Sequence, residues 1–126
     1  MSDRYYHSTA TNPGRVTTAQ LRRKAILAEF EQWMTDQGWS WKKEVPFSEL
    51  FNTKRRFRAD YVIYFFAVPT CVIEINGGQW VNGRHNRGGK GYENDLTKSN
   101  LAQKAGMDYY QFTYEMLDRG EYKDIL

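Results

Sequence analysis

Leu21, Ile26, Leu27, Phe30, Trp33 and Met34 recur at the spacing that lines one side of a helix. Thr17 and Gln20 precede them in the arrangement of a capping box, and Gly38 supplies a stop. This pattern predicts a helix over 18–37. Residues 39–47 alternate in part and predict a strand, with Pro46 marking its end or an edge. A second strand is expected over 55–64. Its Phe57, Ala59 and Tyr61 fall on one side, and Arg56, Arg58 and Asp60 on the other. A turn at 68–70 leads to a short apolar strand over 71–75, interrupted only by Glu74.

Residues 76–91 hold six of the ten glycines and read as one long loop. A helix over 93–104, closed by Gly106, and a strand over 109–113 follow, with a short terminal helix after them. The order is helix, three strands, helix, strand. It implies an α/β fold, αβββαβ, whose mixed central sheet is flanked by helices. The last two strands, joined through a helix, are expected to be parallel. Polar residues 1–16, with Pro13 and Gly14, read as a flexible N-terminal arm, and 17–126 as a single domain.

Composition changes this picture little: 40% of the residues are hydrophobic and 16% aromatic, enough to fill a core. Charge is more informative. Residues 1–58 carry eleven basic and six acidic groups, and residues 59–126 seven and nine. A basic surface beside an acidic site suits a protein that holds a polyanion and a cation together, although an ordinary solvated surface has the same composition. The single cysteine, Cys71, lies in an apolar run and reads as a buried small hydrophobe, which excludes a disulfide framework or a Cys-based zinc site. No long apolar stretch suggests a membrane span, so a soluble, intracellular protein is expected.

Two carboxylates stand out. Glu74 lies inside a strand that otherwise favours burial, where a carboxylate needs a partner or a metal unless alternation turns it to solvent. Asp60 follows Arg-Phe-Arg-Ala in the preceding strand, and alone it reads equally as a partner for Arg56 or Arg58. If the two strands pair as a hairpin, both carboxylates face one side and suit a hard divalent cation between them. On the second helix Asp95, Lys98 and Ala102 share a face. There Lys98 either reaches this pair or forms an exposed pair with Asp95. His85 sits on the Gly-rich loop with Arg84, Arg87 and Lys90, either as a general base or phosphate ligand or as a surface histidine. Lys54, Arg55, Arg56 and Arg58 form a second basic cluster beside Asp60. Trp39 and Trp41 read as core residues, and Trp80 as core or a stacking surface.

The stretches RFRAD over 56–60, IEINGGQW over 73–80, GRH over 83–85 and DLTKSN over 95–100 together resemble the PD-(D/E)XK nuclease superfamily. They are similar to its small phage and bacterial endonuclease-like proteins, including very-short-patch repair endonucleases and Holliday junction resolvases. The resemblance covers roughly 20–114. It implies a metal-dependent endonuclease that hydrolyses DNA and leaves 5′-phosphates, acting in repair, recombination or DNA processing. Asp60, Glu74 and the backbone of Ile75 would hold Mg²⁺ or Mn²⁺. Arg84, Arg87, Lys90, Arg56, Arg58 and Lys54 would grip DNA.

The sequence departs from the superfamily pattern at Asn76, where a lysine is usual. Asn76 can donate a hydrogen bond but brings no charge. Lys98 is the replacement expected for the lysine's role of positioning water and offsetting charge at the phosphate, with Lys90 and Arg84 next. Glu31 or Glu44 is a further carboxylate that could join the site. The rival reading is a nucleic-acid-binding module without catalysis, or an accessory subunit of a larger DNA-processing complex; a homodimer is also compatible with the sequence.

Overall fold

The computed structural model describes residues 15–77, 80–81, 84–85 and 90–126. It opens with helix α1 (Thr18–Asp36), whose start is set by the expected capping box. The Gln20 N–H donates to Thr17 Oγ1 at 3.1 Å, and the Thr17 N–H donates back to Gln20 Oε1 at 2.8 Å. Each bond satisfies a backbone donor that the first helical turn leaves unpaired.

Strand β1 (Ser40–Pro46) runs antiparallel to β2 (Arg58–Phe65), which runs antiparallel to β3 (Val68–Asn76). Short strands β4 (Trp80–Val81) and β5 (Arg84–His85) pair with each other. Helix α2 (Lys90–Lys104) then leads to β6 (Asp108–Thr113), which lies parallel to β3 as the crossover requires. The chain ends in helices α3 (Tyr114–Asp118) and α4 (Tyr122–Ile125). The sheet order is β1-β2-β3-β6, a four-stranded mixed sheet flanked by helices, so the fold is the expected αβββαβ arrangement.

Each face of the sheet buries its own core. Ile26, Phe30 and Met34 of α1 pack on Tyr61, Cys71, Ile73 and Phe112. Ala102 of α2 and Met107 join Val45, Phe47, Ala59, Val62 and Val72. Strand alternation sets this division: Cys71 and Ile73 face α1, whereas Val72 faces α2. Trp39 and Trp41 pack against the α1 core as expected. Burial and the nearby Asp108 push the Cys71 thiol up to about 12, so it is an inert core residue. Among the described residues no helix is long and apolar enough to cross a membrane.

Four details differ from the sequence pattern. First, β2 begins at Arg58, so Arg56 lies off the strand; the Phe57 carbonyl instead accepts the Phe47 N–H at 2.8 Å, in the turn after Pro46. Second, the hairpin turn is not at 68–70. Phe66 and Ala67 form it with φ of 50° and 64°, the positive values that a two-residue turn of type I′ requires. Pro69 belongs to β3 and faces Tyr64 where the ladder register shifts, a place that tolerates a residue without an N–H. Third, the Gly-rich segment contains the β4–β5 hairpin instead of one continuous loop. Fourth, α2 starts at Lys90, so Lys90 belongs to the helix and not to the loop.

Candidate active site

Alternation places Glu74 on the face of β3 that carries Val72, the face covered by α2. Glu74 is 6% exposed and is the one buried charged residue among those described. The last ladder pair of β2 and β3 toward this end is Tyr61 with Ile73, and the next position in register brings Asp60 opposite Glu74. Here side chains take over the pairing. Glu74 Oε2 accepts the Asp60 N–H at 3.1 Å, and Asp60 Oδ2 accepts the Ile75 N–H at 2.7 Å. Each carboxylate is thereby tied to the backbone of the other strand. Both sit on the same side of the sheet, on adjacent strands, as the hairpin expectation required.

Lys98 reaches this pair from α2. Its Nζ lies 2.8 Å from Glu74 Oε1, with both side chains largely shielded from water. The expected alternative of an exposed Asp95–Lys98 pair is therefore not what Lys98 does. The face shared with Ala102 explains the reach: Ala102 is fully buried against the sheet, and Lys98, one turn earlier, extends along the same side.

Burial dominates the electrostatics of both carboxyls. Glu74 is held above its ordinary value by desolvation and by Asp60, against the opposing pull of Lys98. Asp60 is raised by desolvation and by the charge of Glu44, while the Ile75 N–H and Lys98 pull it down. Glu44 lies on β1 at the position opposite Asp60, since the flanking pairs are Lys43 with Tyr61 and Val45 with Ala59. Its φ of 58° is unusual for a residue with a side chain, and its carbonyl accepts from Arg58 Nη1 at 2.9 Å. Of the two further carboxylates weighed from the sequence, Glu44 faces the pair. Glu31 does not: it accepts from Tyr61 Oη at 2.5 Å and pairs with Lys43 at 3.2 Å on the α1 side.

Among the described residues no group of three or more His, Cys, Asp or Glu side chains could hold a metal ion. The donor set is therefore two carboxylates, with Glu44 beside them. Two hard oxygen ligands suit Mg²⁺ or Mn²⁺, which commonly take one or two carboxylates and complete their shell with water and phosphate. Each carboxylate oxygen retains a second lone-pair direction beyond its present hydrogen bond. A cation would also offset the repulsion and desolvation that raise both groups, so the residues fit such an ion. Ile75, expected to contribute its backbone, meets Asp60 through its N–H.

The remaining expected residues divide clearly. Asn76 donates from Nδ2 to Gln111 Oε1 at 2.5 Å, and so holds the neighbouring strand β6. Lys54, Arg56 and Arg58 are exposed near the start of β2. Arg87 lies outside the described residues, as do the side chains of Trp80, Arg84, His85 and Lys90. The sequence reading overlooked Gln111, in register with Glu74 across β3 and β6. The available signal was a polar residue in the otherwise aromatic run Tyr109, Tyr110, Phe112. An apolar cavity of about 520 Å³ lies elsewhere, around Trp39, Ile63, Tyr110 and Leu126, and contains none of Asp60, Glu74 or Lys98. The chemistry of the side chains locates the candidate site. No family model matches the chain, and neither a curated protein nor a solved structure matches it.

Proposed function

We propose that the protein is a metal-dependent DNA endonuclease with a site like that of the PD-(D/E)XK superfamily. The observation that carries this reading is the triad of Asp60, Glu74 and Lys98: two desolvated carboxylates on adjacent strands, with an ammonium bonded to one of them. Structural ion pairs rarely need a second, partly buried carboxylate, whereas phosphodiester hydrolysis needs such an acidic pair and a cationic group close together.

Asp60 and Glu74 would hold Mg²⁺ or Mn²⁺, which supplies a Lewis acid that lowers the pKa of bound water and neutralises charge at the phosphate. Lys98 opposes the burial that raises Glu74 and places a positive charge where the phosphate gains negative charge. It takes the part that Asn76 cannot. Lys54, Arg56 and Arg58 lie near Asp60 in the chain and grip the phosphate backbone, as do Arg84, Arg87 and Lys90. His85 is the proposed proton carrier of the Gly-rich segment. The cytoplasm of a bacterium or phage-infected host is the proposed location, and no element is assigned to base readout. The substrate is accordingly selected by shape, a junction or damage.

The test is incubation of the protein with plasmid, single-stranded and branched DNA, with and without Mg²⁺ or Mn²⁺. Cleavage that requires the metal and is lost in Asp60→Asn supports the reading. Binding without cleavage under every condition replaces it with the second reading, a DNA-binding module or accessory subunit. The Asn76–Gln111 bond favours that second reading, because it gives Asn76 a structural use where a catalytic lysine is usual.

A further inference from the structure

Phe57 lies just before β2, in the irregular segment over 54–57. Its half-buried ring stands between this segment and α2. Lys98 Nζ is 5.3 Å from the ring centroid, and the Arg55 guanidinium carbon is 4.4 Å from it. Arg55 Nη2 in turn donates to Asn94 Oδ1 at 2.9 Å, one helical turn before Lys98. Phe47 meets Phe57 edge-on at 5.7 Å and presents its own ring to Lys98 at 6.0 Å. Among the described residues the Lys98 ammonium thus has one oxygen partner, Glu74, and two aromatic neighbours.

We propose that Phe57 is a positioning residue: with Phe47 behind it, its ring forms an aromatic seat that holds the Lys98 ammonium against Glu74. A lysine side chain has four rotatable bonds and costs substantial conformational entropy to fix. One hydrogen bond to Glu74 leaves the ammonium free to swing away when a cation or phosphate competes for that carboxylate. The negative faces of the rings attract the ammonium without offering a lone pair, so they restrain it without occupying its remaining donors. Arg55 also lies over the Phe57 ring and donates to Asn94 of α2, a contact of its own that is separate from the one between the ring and Lys98. This inference rests on the nuclease reading for its catalytic meaning, whereas the seat itself is independent of it.

The experiment replaces Phe57 with phenylalanines carrying one to four ring fluorines, which weaken the ring's negative face with little change in size. In cleavage assays kcat falls stepwise, by about fivefold across the series, the size of one partly shielded cation–π interaction, while KM stays constant. The same slope persists in an Arg55→Ala background. Phe57→Tyr retains full kcat, and Phe57→Leu falls to the level of the most fluorinated ring. A flat series, or a slope that disappears with Arg55→Ala, overturns the proposal. The Lys98 ε-CH₂ resonances provide a reading that needs no activity. A ring-current shift in the wild type, reduced in Phe57→Leu to what Phe47 alone supplies, supports the seat, and its absence in the wild type overturns it. A wild-type protein that cleaves nothing defeats the nuclease reading, and the resonances then decide the seat separately.

Discussion

Asp60 and Glu74 are both held above the ordinary carboxylate values of 3.8 and 4.5 by burial. The folded state therefore binds protons that the unfolded chain has already released. A raised folded pKa contributes stability that is present below the unfolded pKa and is lost as pH rises through the folded value. Metal-free protein should be most stable in mild acid and lose stability as pH rises from about 4 toward neutrality. Millimolar Mg²⁺ should restore it at neutral pH and do little in acid. Thermal melts across pH, with and without EDTA, check this; a metal-free profile that rises with pH, with no response to Mg²⁺, defeats it. Asp60→Asn should raise the metal-free melting temperature at neutral pH by about 3–5 °C, abolish cleavage and leave metal-free DNA binding equal or stronger. Lys98→Ala, in contrast, leaves Glu74 buried without its cation. It should abolish cleavage and cost roughly 3 kcal/mol at neutral pH. Most of that loss should return in Lys98→Ala combined with Glu74→Gln, which a denaturant titration of the single and double variants measures.

At the scale of elements, two places show backbone demands that the side chains resist. The β2–β3 turn puts Phe66 and Ala67 in the left-handed region, where a side chain costs about 1–2 kcal/mol per residue. Phe66 is also 88% exposed, so its ring contributes no burial in return. Ala67→Gly should therefore stabilise the protein by about 1 kcal/mol, seen as a higher denaturant midpoint with an unchanged slope. The opposite applies at the end of β3. A Cβ on Gly77 would clash with the Tyr114 ring, which leads α3 and lies within reach of Arg23 on α1. Gly77→Ala should destabilise by roughly 1–3 kcal/mol, and Tyr114→Leu in the same chain should recover much of the loss. If Gly77→Ala is neutral, the packing that joins the end of β3 to α3 is not the tight one described.

At the scale of the whole molecule, the described residues place Lys98 against the acidic pair of Asp60 and Glu74, with Lys54, Arg56 and Arg58 exposed near the start of β2. A polyanion would meet the outer charges first. Arg87→Ala or Arg56→Ala should weaken DNA binding on all sequences alike and lower the salt slope by about one for each phosphate no longer gripped, with catalysis per bound complex unchanged. The carboxylate variants should do the reverse, losing catalysis and keeping binding. Fluorescence anisotropy at several salt concentrations, run beside a cleavage assay, separates the two groups. Equal behaviour of both would mean that grip and chemistry are not divided in this way.

What the sequence determined by itself is what local chemistry controls. The Thr17–Gln20 box started α1, Gly106 ended α2, and the apolar period placed Ile26, Phe30 and Met34 in the core, because caps and amphipathic faces act within a few residues. Glu74 was legible for the same reason: a carboxylate inside Cys-Val-Ile-Glu-Ile conflicts with its own strand. Tertiary structure decided the rest. No local rule places the turn at Phe66 and Ala67, since neither favours positive φ; strand pairing imposed it. No spacing rule joins Lys98 to Glu74, twenty-four positions apart, or tells that Glu44 and not Glu31 faces Asp60. Those choices follow from register and from which face each helix covers. Phe57 was read as one side of a strand, yet it stands beside Lys98, because Pro46 and the turn after it hold residues 54–57 off the ladder. Such relations belong to the packed sheet, where a one-residue change of register would send Asp60 and Glu74 to the opposite face.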